Sequence, residues 1–266
     1  MEFAFTHAGR VAYEVSGTGP PVFLLHANLH DRHDFDQIVP GLATRYRVIA
    51  VDWPGHGDSE QMPGVTAPAI AATLDELVTI LDVGPAVFIG NSVGGYAATR
   101  LAIERPEAVA GLVLVNTGGF SPTDLVSTYA CRLFGTPGFA RRMAPAIVSA
   151  YMRSKSDADR AIARGVVARI RTDRGLETFT SMWRSFADSA HDLRQRARAI
   201  TSPTLVVWGT RDRIAAARWG KTARDAITGA ELATLPTGHI VFASAPEAFL
   251  DLVEPFIQTA HQRATA

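Results

Sequence analysis

Three side chains in this sequence have the types and the chain order that nucleophilic hydrolysis requires. Ser92 lies in the run GNSVGG at residues 90–95, while Asp212 and His239 each follow a short apolar run in the last quarter of the chain. A serine hydroxyl is a weak nucleophile, so it needs a base to take its proton and a carboxylate to orient that base. We therefore predict Ser92 as the nucleophile, His239 as the general base and then acid, and Asp212 as the group that fixes the imidazole tautomer.

Other assignments of these groups are weaker. Asp212 could instead cap a helix with a neighbouring arginine as its partner, and His239 could be an ordinary loop histidine. His56 lies in a Gly-rich loop and His191 in a helical region, and neither follows a late strand, so both rank below His239 as the base. Asn116, rather than an acid, ends the strand after residues 90–95, which argues against a catalytic acid at that position.

The elements around Ser92 are those that hold a serine on a tight turn. Residues 86–89 are apolar and predict a buried strand, and residues 96–105 predict a helix. Gly90 and Gly94 stand two residues to either side of Ser92, where a Cβ would collide with the neighbouring strand or helix. This strand–turn–helix arrangement of Gly-x-Ser-x-Gly is a nucleophile elbow.

Along the chain, short continuous apolar strands alternate with helices up to residue 119 and again from residue 200. This alternation predicts an α/β fold with a mostly parallel, doubly wound sheet of about eight strands. Residues 120–199 lack strands and carry helical patterns. We therefore predict one core domain, 1–119 with 200–266, and a helical cap inserted at 120–199.

An oxyanion hole requires two backbone donors near the nucleophile. One is predicted to be the amide of Val93, which follows Ser92. The second should come from the loop after the strand at residues 22–25, where Asn28 is the candidate and Ala27 the alternative.

With these elements in place, the sequence resembles the capped serine hydrolases of the α/β-hydrolase superfamily over nearly its whole length. The resemblance rests on DWPGHGDS at 52–59, GNSVGG at 90–95 and WGTRD at 208–212. Residues 90–95 and 114–119 are also similar to carbon–carbon bond hydrolases that cleave ring-fission products of aromatic catabolism. Three features depart from these families. Ala27 replaces a common glycine, and residues 240–243 are apolar where Pro and Glu are often found after the histidine. The Gly-rich loop usual after the third strand of the carbon–carbon hydrolases is missing.

For the substrate pocket we expect His30, Phe120, Trp183 and Ile240 as lining residues. His30 follows the third strand, and a residue on the rim is its simplest interpretation. Ile240 begins an apolar stretch directly after His239. The aromatic side chains have helical spacing, which is more often typical of the packed core of a cap than of contacts with a ligand.

Composition restricts the other classes of function. The 266 residues are 47% hydrophobic with a formal net charge of zero, which gives no argument for nucleic-acid or membrane binding. The segment 121–200 is basic, with 13 Arg and one Lys against seven acidic residues. No signal pattern and no apolar run of membrane-spanning length is present, so a cytoplasmic monomer or homodimer acting on a small molecule is expected.

Together these features predict a serine hydrolase, without cofactor or metal, that cleaves a small, mostly apolar carboxylic ester, lactone or thioester through an acyl-enzyme. Hydrolytic carbon–carbon cleavage of a vinylogous diketone is the alternative enzyme activity. A ligand-binding protein that keeps the fold, and cofactor-free oxygenase or lyase chemistry, also stay open. Serine at position 92 argues against the dehalogenases and epoxide hydrolases of this fold, which use an aspartate nucleophile.

Overall fold

The strands of this protein form one twisted sheet. The computed structural model describes residues 1–153 and 155–264, and within them eight strands lie in the order β1-β2-β4-β3-β5-β6-β7-β8. The first two pairings, β1–β2 and β2–β4, are antiparallel, and the remaining pairings are parallel. The predicted fold class is thereby confirmed. The strands are β1 (Glu2–Thr6), β2 (Gly9–Ser16), β3 (Pro21–Leu25), β4 (Arg47–Val51), β5 (Ala86–Asn91), β6 (Val109–Val115), β7 (Thr204–Gly209) and β8 (Glu231–Leu235).

Both faces of the central strands are buried, which explains why their sequences are continuously apolar. Phe23 and Phe88 point to one face and stack at 5.0 Å between ring centroids. Val87 and Ile89 point to the opposite face and join a second apolar core. Because the side chains alternate, a single strand supplies both cores.

Helices cover the two faces of the sheet. Helices also make up most of the chain that connects β6 to β7. The α-helices are α1 (Val39–Leu42), α2 (Ala67–Leu81), α3 (Val93–Glu104), α4 (Leu125–Phe134), α5 (Pro137–Met152), α6 (Asp157–Arg171), α7 (Asp173–Ser185), α8 (Ala217–Ala226), α9 (Val241–Ser244) and α10 (Pro246–Ala264). Helices α2 and α3 pack together, and α10 packs on β5 and β6. None of the helices described here has the length and apolar character to cross a membrane.

Residues 120–199 are called the inserted segment, and their described part contains four α-helices, α4 to α7. They pack mainly on one another, as α5 contacts both α6 and α7, and α4 contacts α7. Reciprocal side-chain caps fix two of the helix starts: Asp124 caps α4 and Ser156 caps α6. Residue 154 of this segment and residues 265–266 of the predicted core lie outside the described residues. The division into a core domain and a cap with these bounds stays a prediction.

Candidate active site

Ser92 lies on the sharp turn between β5 and α3. Its backbone has φ 54° and ψ −114°, a left-handed conformation that is costly for a residue with a side chain. A Cβ on Gly90 would lie 2.6 Å from the Cα of Gly95, and one on Gly94 would lie 2.3 Å from the carbonyl oxygen of Leu25. Both positions therefore require glycine, as the sequence predicts. Helix α3 begins directly after Ser92, three residues earlier than its periodicity predicts.

Hydrogen bonds from the neighbouring strand end hold this strained turn. The Ser92 amide donates to the carbonyl oxygen of Val115 at 3.1 Å, and the Gly118 amide donates to the Ser92 carbonyl oxygen at 2.9 Å. The turn is thus bonded on both sides of the serine. Such bonding can hold a strained residue at a functional site.

His239 and Asp212 are joined directly. The Nδ1 atom of His239 lies 2.5 Å from Oδ2 of Asp212, whose side chain is fully buried. Three further donors reach the same carboxylate: the Asn116 side-chain amide at 2.9 Å and the backbone amides of Ile214 and Ala215 at 2.8 and 2.9 Å. Only an acceptor suits all of these contacts, so Nδ1 of His239 carries the hydrogen and Nε2 is left with its lone pair. The bonds from the amides of Ile214 and Ala215 also stabilise the turn that Asp212 begins.

The main chain of His239 is anchored by residues far away in sequence. Asn91, beside the nucleophile, donates from Nδ2 to the carbonyl oxygen of His239 at 3.1 Å. The His239 amide donates to the carbonyl oxygen of Tyr151 at 2.9 Å. A Cβ on Gly238 would lie 1.8 Å from the carbonyl oxygen of Met152, so glycine is required beside the histidine. Asn91 therefore couples the turn of the nucleophile to the position of the histidine.

Ser92 and His239 line one cavity of about 350 Å³. Within the described part of the chain, no hydrogen bond joins the Ser92 hydroxyl to the His239 ring. Such bonds are often long without substrate and tighten when it binds. The cavity wall is mostly apolar and aromatic, and much of it comes from the inserted segment: Ala130, Phe134, Ile147, Tyr151, Phe179, Trp183 and Phe186.

Of the four expected pocket residues, His30 and Trp183 line this cavity. The expectation for Phe120 and Ile240 requires correction. Both are fully buried, and neither lies on the cavity wall. Phe120 packs into the apolar core on the face of the sheet covered by α2 and α3, and Ile240 packs into the core on the opposite face. A local apolar pattern marks burial, but it does not distinguish a core from a pocket wall.

The predicted oxyanion donors belong to two segments at this site: Val93 directly follows Ser92 in the chain, and the loop after β3 lines the same cavity. Val93 is the first residue of α3, where backbone amides have no acceptor within the helix. Asn28 and Ala27 line the cavity from the loop after β3. The positive φ in this loop falls on Leu29, at 62°, and Ala27 is not among the residues with positive φ. The alanine in place of the usual glycine therefore imposes no left-handed strain on the loop.

A second histidine–carboxylate pair lies on the cavity wall. Nδ1 of His30 lies 2.5 Å from Oδ2 of Asp34, and Nε2 lies 3.0 Å from the hydroxyl of Tyr151. Burial raises the pKa of Tyr151, so its hydroxyl keeps its hydrogen and can donate it to His30. The Tyr151 ring meets His239 edge-on at 5.4 Å. His30 thus positions a tyrosine beside the predicted base, a contact that sequence reasoning missed because Tyr151 carries no motif.

Two further buried histidines have structural partners. The Trp53 amide donates to Nε2 of His26, which places the hydrogen on Nδ1 and lets it donate to the carbonyl oxygen of Ala27 at 2.7 Å. Burial lowers the pKa of both His26 and His56 to about 3. Both rings are therefore neutral and fix the loops around the site. Within residues 1–153 and 155–264, no group of three or more His, Cys, Asp or Glu side chains is arranged to hold a metal ion.

Five basic residues of the inserted segment lie away from the cavity at Ser92. An open groove of about 1020 Å³ is lined by Arg153, Lys155, Arg160, Arg164, Arg171 and Arg211. Neither Ser92 nor His239 lies on its wall. These five residues and Arg211 therefore line an outer groove, whereas the cavity at Ser92 is mostly apolar.

With this geometry established, the class of the protein follows from comparison. The model of the alpha/beta hydrolase fold family matches residues 20–246. The match covers most of the chain, so the protein belongs to this family and is an enzyme of the α/β-hydrolase class.

Individual relatives give a finer comparison. The chain is similar to a pimeloyl-[acyl-carrier protein] methyl ester esterase of Neisseria meningitidis, with 30% identity over 250 residues that cover 89% of this chain and 92% of that protein. A hydrolase from Pseudomonas aeruginosa PA01 superposes with a TM-score of 0.84 and 27% identity, over 96% of this chain and 97% of the other. Esterase RhEst1 from Rhodococcus sp. superposes with a TM-score of 0.78 and 25% identity, over 97% and 98% of the two chains.

Proposed function

We propose that this enzyme is a serine esterase that hydrolyses small, mostly apolar carboxylic esters through an acyl-enzyme on Ser92. The observation that carries the proposal is the bond from His239 Nδ1 to the buried Asp212 carboxylate. This bond fixes the tautomer in which Nε2 is free to take a proton, and it does so on the wall of the cavity that contains Ser92. Two of the similar proteins described above are esterases, which agrees with this chemistry.

In the proposed reaction the Ser92 hydroxyl attacks the ester carbonyl carbon and transfers its proton to Nε2 of His239. The Asp212 carboxylate stabilises the imidazolium that forms. The amides of Val93 and Asn28 donate to the oxygen on which negative charge develops. His239 then gives the proton to the leaving alcohol, and a water activated by the same nitrogen releases the acid and frees Ser92.

The shape and lining of the cavity support a small-molecule substrate with apolar character. Aromatic side chains from the inserted segment dominate the wall, so this segment is proposed to act as a cap that supplies the acyl pocket. Lactones and thioesters share the same reacting carbonyl group and fall within the proposal.

A panel of 4-nitrophenyl esters with acyl chains of two to eight carbons tests this function. The wild type should hydrolyse members of the panel, and Ser92→Ala should lower kcat by at least about 10⁴-fold. Ser149→Ala removes the same hydroxyl from an exposed serine on the outer groove and should leave kcat within twofold. A vinylogous diketone acid belongs in the same panel. Strong turnover of that acid with little turnover of the esters would replace the ester assignment.

A further inference from the structure

His191 is a buried histidine on the wall of the catalytic cavity that the proposed reaction does not use. It ends a short 3₁₀ turn, Ser189–His191, in the inserted segment and is 7% exposed. Its ring stacks on Tyr96 at 4.7 Å between centroids and packs against Phe186 at 4.6 Å. The two aromatic rings therefore hold the imidazole in a fixed orientation.

The protein fixes the tautomer of this ring. The Gly119 amide donates to Nε2 of His191 at 3.2 Å, so this nitrogen carries a lone pair. Turning the ring over would place a carbon against the Gly119 N–H, so the hydrogen bond selects the orientation as well. Burial lowers the pKa of His191 to about 4, which keeps the ring neutral. The hydrogen of the ring is therefore on Nδ1.

That Nδ1–H group has no acceptor among the described residues, although it is buried. Buried donors without a partner are rare because the lost hydration is not replaced. The indole Nε1–H of Trp219 and the side-chain NH₂ group of Asn28 are further donors of this kind on the same cavity. Three unpartnered N–H donors on a mostly apolar wall indicate a ligand that brings oxygen acceptors of its own.

His191 also lies close to the nucleophile. A methyl group placed on Gly118 would contact both Nε2 of His191, at 3.3 Å, and the carbonyl oxygen of Ser92, at 3.4 Å. The ring packs against Tyr96 and Phe186, whereas the ring contact of His239 is with Tyr151. The leaving alcohol must lie beside His239 to receive its proton, and His191 has different ring neighbours, so the acyl part of the substrate is assigned here to the side of His191.

We propose that His191 is a specificity-determining residue whose Nδ1–H donates to a second oxygen, carried by the acyl chain of the substrate. The preferred substrates are then esters of oxo, alkoxy or carboxy acids rather than of simple alkanoic acids. This inference rests on the proposed esterase function and deepens it by naming the acyl class.

Two matched substrate pairs test the inference: 4-nitrophenyl 4-oxopentanoate with the pentanoate, and the 5-oxohexanoate with the hexanoate. The measured quantity is the ratio of kcat/KM for the oxo ester to that for the plain ester. In the wild type at least one pair should give a ratio of about 10, the size expected for one added hydrogen bond. In His191→Phe, which keeps a ring between Tyr96 and Phe186, the ratio should fall to about 1.

His33→Phe is the matched control, since His33 is an exposed histidine, and it should keep the wild-type ratio. His191→Gln offers an oxygen to the Gly119 amide and an NH₂ group to the cavity, so it should recover part of the preference and covers the case in which the Phe variant does not fold. Plain esters hydrolysed with no oxo preference in the wild type, or a preference that survives in both His191 variants, would overturn the assignment of His191 alone. Failure to hydrolyse any ester would remove the esterase proposal and this inference together.

Discussion

Asp212→Asn is the substitution for which the structure gives the sharpest expectation. The carboxylate accepts four hydrogen bonds, two on each oxygen: His239 and Asn116 bond to Oδ2, and the amides of Ile214 and Ala215 bond to Oδ1. An asparagine must turn its NH₂ group toward one of these pairs. In either orientation two donors face a donor, so the isosteric change cannot be accommodated without loss.

The two orientations have different consequences. If the NH₂ group faces Ile214 and Ala215, two buried backbone donors lose their acceptor, at a cost of about 1–3 kcal/mol each in unfolding free energy. If the NH₂ group faces His239, the imidazole must accept at Nδ1, which moves its hydrogen to Nε2. That nitrogen can then no longer take the proton of Ser92. The same substitution in the trypsin triad lowers kcat by about 10⁴-fold through the wrong tautomer.

We therefore expect kcat for a 4-nitrophenyl ester to fall by about 10³- to 10⁴-fold in Asp212→Asn at pH 7.5. The assay is steady-state hydrolysis, with urea unfolding to measure the change in stability. Arg211→Gln, one residue earlier and with its side chain on the outer groove, is the control and should stay within twofold. A loss of less than tenfold in a folded Asp212→Asn protein would refute the role given to this carboxylate.

Three further predictions concern the supports of the site. Gly94→Ala would place a Cβ 2.3 Å from a carbonyl oxygen of β3, so we expect the free energy of unfolding in urea to fall by about 1–3 kcal/mol and kcat to fall as the elbow shifts. Asn91→Ala removes the donor to the carbonyl oxygen of His239 at 3.1 Å and should lower kcat about 10- to 100-fold with KM little changed. The pKa values of His26 and His56 are lowered to about 3 in the folded state, so below their ordinary value of 6.5 the unfolded chain binds protons first. Stability should therefore fall as the pH drops from 6.5 toward 3, by roughly 1 kcal/mol per pH unit for each histidine.

Each of these predictions has an outcome that contradicts it. If Gly94→Ala has the unfolding free energy of the wild type, β3 can move to accommodate the new methyl group and the prediction is wrong. A change confined to KM in Asn91→Ala would indicate that the amide affects substrate binding rather than the position of the base. For the pH dependence, His56→Asn supplies the comparison: if the slope of unfolding free energy against pH between 6.5 and 5 is the same in this variant as in the wild type, His56 is not buried neutral.

Much of the architecture was predictable because its causes are local. Continuous apolar strands require burial on both faces, and their alternation with helices requires a parallel sheet, so the fold class could be predicted and is confirmed. The glycines around Ser92 are dictated by close backbone approach, which any sequence with this elbow must satisfy. The association of Ser92, Asp212 and His239 was predictable from their order and from the positions of the strand ends, and their catalytic roles remain our proposal.

The supporting contacts were not predictable because they join residues distant in sequence. Asn91 reaches the carbonyl oxygen of His239 across 148 positions, and His30 meets Tyr151 across 121. The sequence marks Asn116 only as a strand end without an acid. In the structure its side chain bridges two groups, because Nδ2 donates to Asp212 and Oδ1 accepts from the backbone N–H of Gly209 at 2.7 Å. No local periodicity encodes such contacts.

His191 illustrates the same limit for the pocket. Sequence position alone ranks it below His239 because no strand precedes it. Its importance arises from the Gly119 amide and from Tyr96, which belong to the loop after β6 and to helix α3. Only the assembled cavity shows a fixed donor without a protein acceptor.

The central claim is that Ser92 is an activated nucleophile. Reaction with a fluorophosphonate, followed by intact-mass and peptide mass spectrometry, tests it most directly, with wild type, Ser92→Ala and Ser149→Ala compared at equal concentration. We predict one phosphonyl group per wild-type chain, located on the peptide that contains Ser92. Ser149→Ala should be labelled equally and Ser92→Ala not at all. A wild-type protein that stays unmodified, or an adduct that persists in Ser92→Ala, would contradict the claim.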